Sequence, residues 1–155
     1  LTRLYELVPG LRGLVLGDGP SRPDVLAAIE AAGAREFVEA PGFVPSAEVE
    51  AALGRATVNV LPSSREGYGM VIIEAAALGT PSVVLAGPDS SAVELVEEGV
   101  NGFVASAPAD LPGAIAAAAA GGQDLRRSTA EWFTRRAPAL SASASARRIL
   151  EELER

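Results

Sequence analysis

The 155-residue chain is 48% apolar, 21% charged and 5% aromatic, the profile of one soluble globular domain able to bury about two-thirds of its unfolded surface. It has no Cys and no His, and all 13 basic residues are Arg. That inventory excludes a Ser-His-Asp triad, a Cys nucleophile, imidazole or thiolate metal sites, a disulfide framework, a Schiff-base lysine and a Walker-type phosphate lysine. Carboxylates, Arg, hydroxyls and backbone amides remain, a set suited to holding phosphorylated or sugar ligands. Net charge is −7, with 6 Arg against 15 acids in residues 1 to 120 and 7 Arg against 5 acids in 121 to 155. An acidic body of this kind does not suit nucleic acid. The Arg pairs at 126–127, 135–136 and 147–148 fall on predicted helices, where a solvated face is the plain reading and contact with anionic lipid or an acidic partner the alternative. The chain begins at Leu1, its one Met is Met70, and it reads as a fragment. No apolar run approaches the ~20 residues of a membrane span, and the lack of Cys fits a reducing, cytoplasmic setting.

In chain order, short apolar runs alternate with helical patterns, as in βα units of a parallel sheet. A helix tail through Leu4 and Leu7 stops at Pro9-Gly10, and a strand is expected over Leu11–Leu16. Gly17-Asp18-Gly19-Pro20 turns into a helix from about Pro23 to Ala32, ended by Gly33. A strand at Glu36–Val38 leads through Pro41-Gly42 to a helix beginning near Ser46, a candidate N-cap. Ala56–Leu61 reads as a strand ended by Pro62. Gly67-Tyr68-Gly69 opens a helix through Ala77, and Gly79-Thr80-Pro81 closes it. A strand at Ser82–Ala86, a helix at Ser91–Glu98 capped by Ser90 or Ser91, and a strand at Gly102–Ala105 follow. From Pro108 the pattern is helical, with a break at Gly121-Gly122 and helices near Asp124–Arg136 and Ala142–Leu153.

The densest chemical signal runs from Pro62 to Ala75. A strand, a polar loop with two glycines and an immediate helix aim free N–H groups and the positive end of a helix dipole at an anion. Gly67 and Gly69 let backbone approach a ligand, and the amides of Gly69, Met70 and Val71 are the candidate phosphate ligands. Glu66 and Glu74 bracket them; at 1.5 Å per residue their eight positions span roughly 12 Å, so that each carboxylate can read a different sugar ring with phosphates between. Glu66 also suits a plain first-turn acid, whereas Glu74 in an apolar run suggests a carboxylate too costly to bury without purpose.

The stretch from about Leu14 to Ala105 resembles the C-terminal, donor-binding half of retaining GT-B glycosyltransferases of the family-4 type. The residues that carry the likeness come in order: Leu14-Val15-Leu16-Gly17-Asp18-Gly19-Pro20, Pro41-Gly42-Phe43-Val44-Pro45, Val58-Asn59-Val60-Leu61-Pro62-Ser63, Glu66-Gly67-Tyr68-Gly69, Glu74-Ala75, Gly79-Thr80-Pro81, Glu94, and Asn101-Gly102-Phe103-Val104. Glu66 and Glu74 match the family's E-x7-E. The resemblance implies a Rossmann-like α/β fold with a parallel sheet and helices on both faces. It implies a catalytic role for Glu66 at the donor sugar, ribose binding by Glu74, and diphosphate binding by the loop and helix start at Gly67, Tyr68, Gly69, Met70 and Val71. Gly17 and Gly19 would keep a neighbouring loop close to the donor, and Phe43 and Val44 would line the base pocket. No cofactor and no metal are implied; the substrate is a nucleotide diphosphate sugar.

The family also places an Arg and a Lys upstream, in a segment that Leu1 interrupts, together with the central first strand of the order 3-2-1-4-5-6. The expected division is therefore a nucleotide-sugar-binding Rossmann-like domain at 1–122, truncated at its N-terminus, and a C-terminal helical segment at 123–155. The partner would be an N-terminal GT-B domain, with peripheral membrane contact open to the parent enzyme. Strands near Leu11 and Ala56 should not neighbour each other directly. Arg65, a substitute for the missing cations, reads instead as a surface residue, and Trp132-Phe133 resemble the aromatic pair before the family's crossing helix. Two rival readings are a NAD-type dinucleotide binder, whose third glycine would fall at Arg22, and a non-catalytic module on the same fold.

Overall fold

The computed structural model describes residues 2–140 and 142–153. Helix α1 (Thr2–Leu7) turns at Pro9-Gly10 into strand β1 (Gly13–Leu16), followed by α2 (Arg22–Ala31), β2 (Val38–Gly42) and α3 (Ser46–Arg55). The second part comprises β3 (Asn59–Leu61), the two-residue strand β4 (Arg65–Glu66), α4 (Met70–Ala77), β5 (Ser82–Leu85), another two-residue strand β6 (Asp89–Ser90), a 3₁₀ turn (Ser91–Leu95) and β7 (Gly102–Ala105). A 3₁₀ turn at Pro108–Asp110 then leads into α5 (Leu111–Arg136), which is broken at Gly122, and α6 (Ala142–Leu153) ends the described chain. None of the described helices is long and apolar enough to cross a membrane.

Every strand pair is parallel. β1 pairs with β2, β3-β5-β7 form a three-stranded sheet, and β4 pairs with β6. This is the expected Rossmann-like α/β architecture, and all five predicted strands are present. Among the described residues β1 and β3 share no ladder, in keeping with the separation expected of those two strands. Their side chains show the consequence: Leu14, Val15 and Val60 are 48%, 41% and 38% exposed, values typical of sheet edges rather than centres.

β5 is the best-buried strand, with all four residues enclosed. Successive strand side chains alternate faces, so Val84 packs with Ile72, Ala92 and Leu95 on one side while Val83 packs with Ala118 and Leu125 on the other. The sheet is thus covered by α4 and the 3₁₀ turn on one face and by α5 on the opposite face. α2 supplies Ile29 to a smaller cluster with Ala34 and Val38 over β2. α1 packs on α5, buries Leu4 and sets Tyr5 against Phe37 with ring centroids 4.6 Å apart.

Several local expectations need correction. The second strand starts at Val38 rather than Glu36, because the amides of Phe37 and Val38 both donate to the Ala34 carbonyl and close a turn there. Pro45 occupies the N-cap of α3, so Ser46 is already helical and caps nothing. The helix expected over Ser91–Glu98 stops at Leu95, and neither serine makes a side-chain cap. Asn101 explains the early end: its buried amide donates to the Leu95 carbonyl and accepts from the Glu97 N–H, drawing the backbone into a loop.

Candidate functional site

The polar loop after β3 makes the short β4–β6 pairing before it enters α4, placing Arg65 level with Asp89 and Glu66 level with Ser90. Gly69 is the N-cap of α4 and has φ +78°, a left-handed conformation that side chains other than glycine resist. A Cβ there would also lie 3.2 Å from the Ala92 Cβ. Glu66 is half-buried, and its Oε1 accepts the Gly69 N–H at 3.2 Å. The Gly69 amide is therefore already engaged, which corrects the expectation that it stands free for a phosphate. The amides of Met70 and Val71 have no partner among the described residues, as geometry dictates for a first helical turn.

Glu74 lies one turn beyond Met70, on the same helix face. Both are exposed, and so are Gly67 and Tyr68. The cost of burying Glu74 therefore gives no reason for its presence; its solvent-facing position on α4 does make it reachable by a ligand. The 12 Å spacing also needs revision. Only Met70 to Glu74 is helical, about 6 Å of rise, because Glu66 belongs to β4.

Arg126 fixes the far end of α4. From α5 its guanidinium donates to the carbonyls of Gly54, Ala56 and Leu78 and to the Thr80 hydroxyl, while Thr80 donates to the Leu53 carbonyl at 2.7 Å. One cation thus gathers the C-terminal ends of α3 and α4, where carbonyls point outward and attract positive charge. The solvated-face reading does not hold for Arg126, whereas Arg127 and Arg135 are exposed. The side chain of Arg148 lies outside the described residues.

The second group of predicted residues sits past the end of β1. Gly17 donates its N–H to the Gly42 carbonyl at 2.9 Å, tying the Gly17–Pro20 loop to the end of β2. Gly17 and Gly19 are exposed, Val44 is half-buried, and Phe43 is 80% exposed. Core packing is thereby excluded for Phe43. The loop borders a cavity of about 240 Å³ beside the start of α2. Both groups follow the carboxyl ends of parallel strands, where open α/β sheets receive ligands. Among the described residues neither a hydrogen bond nor an ion pair joins the two groups.

Three residues of the region stand in circumstances that their sequence did not predict. Ser90, opposite Glu66, is 8% exposed, and its Oγ has no hydrogen-bond partner. Arg126 gave no local signal, since its acceptors are some 46 to 72 positions away. Arg22 carried one: a cation at the first position of a helix opposes the dipole. Arg65 is exposed and pairs with Asp89 at 3.5 Å, as expected of a surface residue. Among the described residues there is no cluster of acids that could hold a metal ion.

A parallel α/β fold with an open helix N-terminus, a glycine loop and two carboxylates has the parts from which anion-binding sites in such folds are built. Comparison with known proteins narrows that class. The family model described as glycosyl transferases group 1 matches residues 3–121, and the chain belongs to that family. It is 35% identical over 92 residues to alpha-D-kanosaminyltransferase of Streptomyces kanamyceticus, covering 59% of this chain and 23% of that protein. It is 33% identical over 99 residues to alpha-monoglucosyldiacylglycerol synthase of Acholeplasma laidlawii, covering 64% and 24%. The chain thus spans about a quarter of these curated relatives. Among solved structures, Anabaena Alr3699/HepE in complex with UDP superposes with a TM-score of 0.79 at 24% identity, over 98% of this chain and 43% of that one. The fold is therefore that of the family's solved members.

Proposed function

We propose that the chain is the donor-binding part of a glycosyltransferase that takes a nucleotide diphosphate sugar and transfers a hexosyl group with retention, without a metal or cofactor. The observation that carries this reading is the start of α4, where two unpartnered amides lie between a half-buried carboxylate, Glu66, and an exposed one, Glu74. In this reading the Met70 and Val71 amides take the diphosphate and stabilise the negative charge that grows on it as the glycosidic bond breaks. Glu74 accepts hydrogen bonds from the ribose hydroxyls. Glu66, held by the Gly69 amide, faces the donor sugar at the reacting centre. The Gly17–Gly19 loop and the backbone around Phe43 and Val44 enclose the base.

Support comes from the family match and from the UDP complex of a structural neighbour. The relatives' greater length supports a second, acceptor-binding domain in the working enzyme. The dinucleotide alternative has less support, since Arg22 stands where its third glycine belongs. The test is turnover: a longer polypeptide that carries the acceptor-binding domain, given UDP-hexose and acceptor, should release nucleoside diphosphate and keep the anomeric configuration, whereas the 155-residue chain alone should bind nucleotide weakly and transfer nothing. Glu66→Gln should lower the rate at least about 100-fold with folding intact. Unchanged turnover in that variant would remove Glu66 from the chemistry.

A further inference from the structure

Arg22 is the first residue of α2 and half-exposed, yet its guanidinium is tightly placed. Nη2 donates to the Ala40 carbonyl at 3.2 Å, and Nε lies 3.9 Å from Asp18 Oδ1. The group rests on Gly42: a Cβ there would come within 3.2 Å of Nε and 3.6 Å of Cζ. Gly42 has φ +94°, so both its backbone and its missing side chain serve this contact. Nε is buried without a hydrogen-bond partner, and Nη1 has no partner among the described residues. A cation at a helix N-terminus opposes the dipole, and burying an unpaired donor costs further. Asp18, itself 61% exposed, offsets little of this.

Arg22 borders the open cavity of about 240 Å³. Val15, Gly17, Gly19, Arg22, Val25 and Ala40 line it, which gives mostly apolar walls, open backbone and one guanidinium whose Nη1 is unengaged while Nη2 is held by Ala40. A guanidinium offers N–H groups and no acceptor. Its Nη1 therefore matches a carbonyl oxygen on a planar ring, such as uracil O4 or guanine O6. Adenine presents an amino group beside its ring nitrogen and meets those donors less well.

We propose that Arg22 is the specificity-determining residue for the donor's base, selecting oxo-bearing bases over adenine in this cavity. The inference rests on the donor-site reading above. It is tested by calorimetric titration of the protein with UDP, GDP, ADP and inorganic pyrophosphate, in wild type, Arg22→Gln and Arg22→Lys. The wild type should bind UDP or GDP at least about tenfold tighter than ADP, the worth of one charge-assisted hydrogen bond. Both variants should narrow that preference to within about threefold and leave pyrophosphate affinity unchanged.

A preference that survives in both variants overturns the proposal. So does an equal loss for UDP and pyrophosphate, which would mark Arg22 as a purely structural latch. Arg22→Lys keeps the charge, so it decides the matter if Arg22→Gln fails to fold. Failure of the wild type to bind any nucleoside diphosphate would instead sink the donor-site reading, and this inference with it.

Discussion

The two parts of this domain are built to different standards of enclosure. Around β5 every strand residue is buried and both sheet faces are covered. Around β1 the strand has no fully buried residue, and one small cluster from α2 and β2 provides the core. The better-enclosed part carries the helix start assigned to the diphosphate. The more open part carries the loop and cavity assigned to the base. The charge-bearing step needs amides held still, since preorganised dipoles lose their value if they must reorganise. In the proposed reading, base recognition falls to the less enclosed part, at β1.

Stability measurements can break that comparison. The largest loss is expected for Trp132→Ala, about 3–5 kcal/mol in urea denaturation, because the ring is fully enclosed and stacks near Arg136. Arg126→Ala should follow at about 2–3 kcal/mol, since it strands carbonyls at the ends of α3 and α4. It should also weaken nucleotide binding through α4. Ile29→Ala, in the smaller cluster, should cost about 2 kcal/mol, the low end for such truncations. A loss equal to that of Ile72→Ala, in the cluster on β5, would erase the contrast between the two parts.

Leu14→Ser should change stability least, by under about 0.5 kcal/mol, because its side chain is nearly half exposed. The same substitution sharpens the account. In a longer polypeptide, a loss above about 2 kcal/mol would mean that another element buries this edge.

Most of the fold was legible because strands and helices declare themselves locally, by apolar runs, by Gly and Pro at their ends, and by spacing. The Gly33, Pro62 and Gly79 boundaries hold for this reason. What was hidden depends on distant partners. Asn101 ends the turn at Leu95 through a buried amide, and nothing near Ser91 announces it. Arg126 resembles its exposed neighbour Arg127 until the acceptors of α3 and α4 come into reach.

In the site, the structure changes the circumstances of several expected residues. Glu66 holds Gly69, so one amide assigned to phosphate is taken. Glu74 is exposed, so the reason given for it changes from the cost of burial to access. Phe43 stands in solvent, so packing in the core does not account for it. The two small strands β4 and β6 were invisible, being two residues each. They set the position of Glu66.

The central claim is that one nucleoside diphosphate engages both the start of α4 and the β1–α2 loop. Backbone amide NMR during titration with UDP tests it most directly. The account predicts that Met70 and Val71 shift together with Gly17, Gly19 and Val44 at a single apparent affinity. It also predicts that Glu74→Gln weakens that affinity about tenfold. Shifts confined to other surfaces, or separate affinities for the two groups, would contradict it.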